Sequence, residues 1–146
     1  MSFVPLVLKV KKMHPHATMP TTAMVGDAAY DLYTSVPIEI KPMERAQIPT
    51  GVAMEIPYGY VGLIWDKSGL SHRSGLKTLG GVIDAGYRGE IMVGMINLGD
   101  QPIIFERGHK VAQMIIQRRE ECVIEEVEEL SESDRGQGGF GSTGKI

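Results

Sequence analysis

What most limits this chain is its punctuation. Pro42, the run Pro49-Thr50-Gly51, Pro57-Tyr58-Gly59, Asn97-Leu98-Gly99-Asp100 and Arg107-Gly108 recur at roughly ten-residue intervals, and each is chemistry that ends strands. Between them lie short apolar or alternating stretches: FVPLVLKV, VPIEI, AQIPTGVAMEI, YVGLIW, GVID, EIMVGMINL, PIIFE, KVAQMIIQ and CVIEEVE. No long amphipathic helical pattern competes with them. A short helix is predicted around Ser68 to Leu76, interrupted by Gly69 and Gly75. Many short strands at regular spacing predict an all-β sandwich, jelly roll or small barrel, and 146 residues is the size of one domain.

The totals exclude several classes of function. A net charge of -3 lacks the basic face with which duplex-binding proteins neutralise phosphates, so no nucleic-acid partner is predicted. No stretch approaches the ~20 apolar residues of a membrane span, and the opening residues carry no basic segment ahead of an apolar run, which predicts a cytoplasmic protein with no membrane partner. The single cysteine, Cys122, is read as a small buried hydrophobe. Seven glutamates from Glu120 to Glu132 flank a few apolar residues. That composition predicts a solvated outer strand leading into a linker.

The closing stretch RGQGGFGSTG places five glycines in the ten residues from Arg135 to Gly144. Gly139 to Lys145 satisfies seven positions of a nucleotide-binding loop, but Ile146 stands where a magnesium-binding hydroxyl is required, so that reading is rejected. What remains is an anion clamp: exposed backbone N–H groups, the Ser142 and Thr143 hydroxyls, and the charges of Arg135 and Lys145. Phe140 has nothing to bury in such a segment unless it meets a planar or apolar partner. A frayed terminus is the plainer alternative.

Three further stretches are chemically dense. DAAYDLYTS (27–35) places Asp27 and Asp31 together; WDKSGLSHRSG (65–75) joins Lys67, Ser68 and Gly69 as cation, hydroxyl and approachable backbone; GGVIDAGYRGEI (80–91) reads as a hairpin with its turn near Asp84-Ala85-Gly86-Tyr87. Singly, each is satisfied by an ordinary turn or strand. In order and spacing, however, AAYDL, DKSGLS, GVIDAGYRGE, GHKVAQMI and RGQGGFGSTG resemble the five motifs of the trimeric deoxyuridine triphosphatase (dUTPase) family across about the whole chain.

That resemblance implies a jelly roll or distorted β-barrel over 1–130, with 131–146 a flexible lid belonging to the same functional unit. It implies a homotrimer with active sites shared between subunits, and Mg²⁺-dependent hydrolysis of dUTP to dUMP and pyrophosphate. Asp84 resembles the general base that aligns and deprotonates a water for in-line attack on the α-phosphorus. Tyr87 resembles the ring that packs on the deoxyribose and excludes a 2′-hydroxyl. Uracil is implied to lie along Gly81, Val82, Ile83 and Asp84 to Tyr87, with Met92 beside it or simply in the core.

By the same likeness Lys67, Ser68, Gly69 and Gln113 meet the phosphates, and Asp31 acts on Mg²⁺ through water, no residue ligating the metal directly. Arg135, Ser142 and Thr143 reach phosphate from the lid, Gly141 lets its backbone approach, and Phe140 stacks on the base. Two positions depart from the family pattern. Lys67 replaces the usual arginine, for which Arg73 is a candidate substitute, and Ala29 replaces a glycine. The related dCTP deaminases, or a bifunctional deaminase and dUTPase, are the rival enzyme reading, but the position of their glutamate corresponds to Gly94 here. A non-catalytic nucleotide-binding jelly roll acting as a regulator is the rival from another class.

Overall fold

The computed structural model of the protein describes residues 4–144. Ten strands and one short helix follow in chain order: β1 (Lys9–Lys12), β2 (Tyr30–Tyr33), β3 (Ile38–Ile40), β4 (Arg45–Glu55), β5 (Tyr60–Trp65), α1 (Ser68–Ser74), β6 (Leu76–Leu79), β7 (Val82–Ile83), β8 (Glu90–Asn97), β9 (Ile103–Phe105) and β10 (Lys110–Arg118). They form a sheet of order β1-β4-β8-β6, a second of order β2-β10-β5-β7, and a small β3-β9 pair. The architecture is all-β and jelly-roll-like, as the spacing of turns predicts.

Period-two alternation explains why two sheets stack. In β8 the residues Ile91, Val93, Met95 and Asn97 are buried, while Met92 faces out. The inward residues of both sheets meet in one core: Ile48, Val52, Ile91 and Val93 from the first, Leu32, Ile64, Val111 and Met114 from the second. Burying each such side chain stabilises the fold by about 1.5–3 kcal/mol, so this cluster outweighs any surface contact described below.

Asn97 is the one buried side-chain amide among the described residues. Its Nδ2 donates to Ile40 O at 2.9 Å and Gln101 O at 2.8 Å, and its Oδ1 accepts from Gly99 N at 2.9 Å. One side chain thereby ties the end of β8 to β3 and to the loop before β9.

Several sequence expectations are corrected. Pro49-Thr50-Gly51 does not end a strand; β4 runs through it as a bulge, the register with β8 shifting between Pro49 and Ala53. Pro49 has no N–H to give the ladder, and Thr50 Oγ1 donates to Ile91 O at 2.6 Å. The first strand begins at Lys9, because β4 ends opposite it at Glu55 and nothing remains for residues 4–8 to pair with. Phe3 lies outside the described residues. β2 and β6 form where no strand was predicted; both are short, and neither carries an alternating apolar pattern of its own.

The segment 80–91 is not a hairpin. β7 pairs with β5 in one sheet, β8 pairs with β4 and β6 in the other, and the expected turn lies between them. Gly80 (φ 66°) and Gly81 (φ 106°) take the chain from β6 across to β7, through backbone that side-chain-bearing residues avoid.

Beyond β10 the expected outer strand over CVIEEVE is absent, and Val123, Ile124 and Leu130 are almost wholly exposed. This segment meets no sheet edge of its own chain. Cys122 is exposed for the same reason, contrary to its reading as a buried hydrophobe.

Candidate active site

The predicted site residues fall into two pockets and one free segment. The first pocket is built on β10, the strand between β2 and β5. Its register sets Gln113 opposite Asp31 on one side and Trp65 on the other. Asp31 is buried, at 5% exposure, so its charge requires compensation. Lys67 Nζ lies 2.5 Å from its Oδ1, and Lys110 Nζ lies 3.0 Å from its Oδ2.

Burial pushes the Asp31 carboxyl up, but hydrogen bonds to Lys67 and Lys110, and then their charges, outweigh it and hold the group below the ordinary aspartate value. The hydrogen bond to Asp31, then its charge, raises Lys110 in turn. Lys110 therefore stays charged at neutral pH.

Neighbouring contacts fix the approach to α1. Gln113 Nε2 donates to Asp66 O at 2.8 Å, and Asp66 accepts from Thr78 N at 2.6 Å and from Lys77 Nζ at 2.7 Å. Burial pushes Asp66 up as well, and Lys77 with the Thr78 amide more than reverses it. Within α1, Arg73 folds back one turn, and its Nη2 sits 3.0 Å from where a Cβ on Gly69 would be.

The result is an open pocket of about 420 Å³ lined by Lys67, Gly69, Leu70, Arg73, Ser74 and Lys110. Three cations and no carboxylate face it, which suits a polyanion. Ser68 is exposed at the first position of α1 and is not among the lining residues.

The second pocket, of about 220 Å³, is lined by Val82, Ile83, Asp84, Tyr87, Glu90 and Met92. β7 is the edge of its sheet, so the main-chain groups on its outer side are not used by a neighbouring strand. Gly81 O accepts from Ile64 N at 2.8 Å and secures the start of the wall. The turn that carries Asp84 is closed by Tyr87 N donating to Asp84 O at 3.1 Å, and the Tyr87 hydroxyl donates to Glu90 O at 2.9 Å.

Arg88 braces this turn from outside, donating to Ala85 O at 2.7 Å and to Tyr87 O at 3.2 Å while pairing with Glu55 at 3.2 Å. Glu55 also pairs with Lys9 at 3.1 Å. The hydrogen bond to Lys9, then the charges of Lys9 and Arg88, hold its carboxyl below the usual glutamate value.

The closing segment touches neither pocket. Arg135 Nε donates to Gly138 O at 2.6 Å, Ser142 N to Gly139 O and Gly144 N to Gly141 O, and Phe140 is fully exposed. Thr143 and Gly141 are exposed beside it. Lys145 lies outside the described residues.

The structure therefore brings Asp31, Lys67, Gly69 and Gln113 together, and separately Val82, Ile83, Asp84, Tyr87 and Met92. Arg135 to Thr143 join neither group. Sequence reasoning missed Lys110, Leu70 and Ser74 in the first pocket and Glu90 in the second. Only the cross-strand register reveals that Lys110 and Lys67 share one carboxylate. Ala29 is buried at 9% exposure, beside β2.

Among the described residues, no group of three or more His, Cys, Asp or Glu side chains is placed to hold a metal ion. The donor set suits an ion delivered on phosphate oxygens. Asp31 spends two of about four acceptor positions on ammonium groups, which leaves it able to accept from a metal-bound water. No helix among the described residues is long and apolar enough to cross a membrane.

Comparison with known proteins gives a consistent result. The sequence model of a family described as dUTPase matches residues 15–144. The deoxyuridine 5′-triphosphate nucleotidohydrolase of Clostridium kluyveri is 45% identical, over 95% of this chain and 99% of that protein. The Mycolicibacterium gilvum protein of the same name is 46% identical, over 94% of each. Among solved structures, the Staphylococcus bacteriophage 80alpha dUTPase with dUpNHpp superimposes with a TM-score of 0.90 at 32% identity, covering 94% of this chain and 98% of that one.

Proposed function

For this chain, which belongs to the dUTPase family, we propose hydrolysis of dUTP to dUMP and pyrophosphate. The observation that carries the reading is the pocket beside β7, where unpaired edge-strand main chain, a carboxylate and a tyrosine ring converge in about 220 Å³. That is below the ~300–1,000 Å³ of usual ligand pockets. It has room for a pyrimidine and its sugar, and the triphosphate needs the separate cationic pocket.

Uracil lies along Gly81, Val82 and Ile83 and is read by main-chain donors and acceptors at the free edge of β7. A base with the wrong exocyclic group leaves such groups unpaired, at ~1–3 kcal/mol each. Met92 closes the far side. Tyr87 packs on the deoxyribose and leaves no space for a 2′-hydroxyl.

Asp84 holds a water in line with the α-phosphorus and takes its proton as the P–O bond forms. The pyrophosphate leaves towards Lys67, Ser68, Gly69 and Gln113. Arg73, folded over Gly69, supplies the guanidinium that Lys67 does not. Asp31 would hold Mg²⁺ through a water, and the ion, carried on the phosphates, would supply charge neutralisation for the leaving group.

The two pockets and the free closing segment support an enzyme completed by other copies of the chain. In that homotrimer one subunit's tail covers a site built by the others, Phe140 on the base and Arg135, Ser142 and Thr143 on phosphate. The domain boundary near residue 130 follows from that role. Mg(II) is named in the solved structure of a mutant dUTPase from phage phi11 of S. aureus, at a TM-score of 0.80 and 29% identity over 85% of this chain and 98% of that one.

Deamination of dCTP is disfavoured by Gly94. A Cβ there would lie 2.8 Å from Leu79 O, so the backbone leaves no room for the glutamate that reading requires. The test is pyrophosphate release from dUTP, with dCTP, dTTP and UTP as controls and with Mg²⁺ or EDTA. Turnover of dUTP alone, abolished by EDTA, is expected. Ammonia from dCTP would favour the deaminase, and nucleotide binding without turnover would favour the regulator.

A further inference from the structure

We propose that Gly89 is the positioning residue that sets discrimination between deoxyribose and ribose, acting through Tyr87. This rests on the dUTPase reading above and assigns a role to a residue outside the pocket lining.

The Tyr87 ring does not stand free. It folds back over the peptide of Gly89 so that its hydroxyl reaches Glu90 O at 2.9 Å. A Cβ on Gly89 would collide with that hydroxyl, would lie 2.6 Å from Cζ and would lie 3.0 Å from Cε1. Real Cβ atoms do not approach so closely. The hydrogen bond fixes the ring tip, and the missing side chain at Gly89 is what lets the ring reach it.

Tyr87 is 43% exposed, so little else confines it. Arg88 braces the main chain of the turn and leaves the ring free to rotate about its own side-chain bonds. A methyl at position 89 therefore has an easy outlet. The ring swings off Glu90 O while the backbone, and Asp84 at the start of the turn, stay where they are.

A ring held in one place excludes a 2′-hydroxyl by contact; a ring that swings does not. Gly89→Ala is thus expected to lower the ratio of kcat/KM for dUTP to that for UTP by about tenfold or more, the scale on which pocket shape discriminates small groups. The change should appear mainly as a lower KM for UTP, with kcat for dUTP little altered. Tyr87→Phe keeps the ring and removes the anchor, and should lower the same ratio by a smaller factor.

The experiment is steady-state turnover of dUTP and UTP by wild type, Gly89→Ala and Tyr87→Phe, each checked for a cooperative thermal transition. A wild type inactive on dUTP overturns the dUTPase reading itself. An active wild type with an unchanged ratio in Gly89→Ala, or with both substrates slowed equally, overturns this inference alone. Should Gly89→Ala fail to fold, Tyr87→Phe decides: a wild-type ratio there means that the anchor does not position the ring.

Discussion

Asp31 and Lys67 meet at 2.5 Å across two different elements, one at the buried start of an edge strand and the other at the entry to the short helix. With Lys110 on the other oxygen, the carboxylate holds two cations at the mouth of one pocket. Replacing Asp31 with Asn leaves both ammonium groups without their counter-charge. The lysines are 29% and 45% exposed, so the loss of stability is roughly 1–2 kcal/mol, below that of a fully buried pair.

The pH dependence has a definite sign. The folded-state value of Asp31 lies below the ordinary aspartate value of 3.8, so the group's contribution is present above that value and is lost as pH falls through the lower, folded one. Urea unfolding of wild type and Asp31→Asn between pH 3 and 7 should give a difference that is flat near neutrality and shrinks at the acid end. A difference independent of pH would mean that the ion pairs are not its source.

Asp84→Asn tests the base. The carboxylate is exposed on its turn, so the fold should be unaffected. The amide keeps a similar shape but accepts no proton, and kcat for dUTP should fall by ~10²–10⁴ with KM nearly constant. Pre-steady-state binding of a non-hydrolysable analogue provides the check. A wild-type kcat would remove Asp84 from the chemistry.

Truncation after Asp134 separates the lid from the body. The described hydrogen bonds of that segment run within itself or to Ser133 just ahead of the cut, and none reaches a sheet, so its loss should leave the melting temperature unchanged. In the trimer proposed here the same cut removes Phe140 and the donors around it, and kcat/KM should drop steeply. Calorimetry and turnover on one preparation give both numbers. Equal kcat/KM before and after would show that the segment closes over nothing.

Asn97→Leu probes the floor of the core. The substitution keeps approximate volume but leaves the Ile40 and Gln101 carbonyls and the Gly99 amide without their partner. Destabilisation on the order of 1–3 kcal/mol is expected, with activity per folded molecule preserved. Chemical denaturation measures it directly.

Much of this molecule is legible in its residues. The strands β5, β8 and β10 stand out because each runs largely apolar for about six residues between turn formers, whereas β4 carries Pro49-Thr50-Gly51 in its middle. The short helix also appears, ending at Ser74 ahead of Gly75. β2 and β6 are hidden because a four-residue strand takes its identity from partners distant in sequence, as Asp31 does from Gln113. The site shows the same division. Val82, Ile83, Asp84 and Tyr87, residues of one motif, emerge together in one pocket, whereas Lys110 enters the cationic pocket only through register. The stretch 122–128 alternates like a strand but forms none, because alternation says which face is apolar and nothing about whether a partner exists.

The crossing at Gly80-Gly81 has a consequence for how such a protein can change. The segment that walls the base pocket is also the only covalent path from β6 to β7, and from there the chain returns to the first sheet at β8. A residue inserted within β7 would turn the side chains beyond it to the other face of the sheet. Because this wall meets the base through main-chain groups, its preference tolerates exchange of side chains and is closed to insertion. The stretch 22–26 ahead of β2, exposed throughout, is by contrast free to vary in length without touching what the pocket accepts.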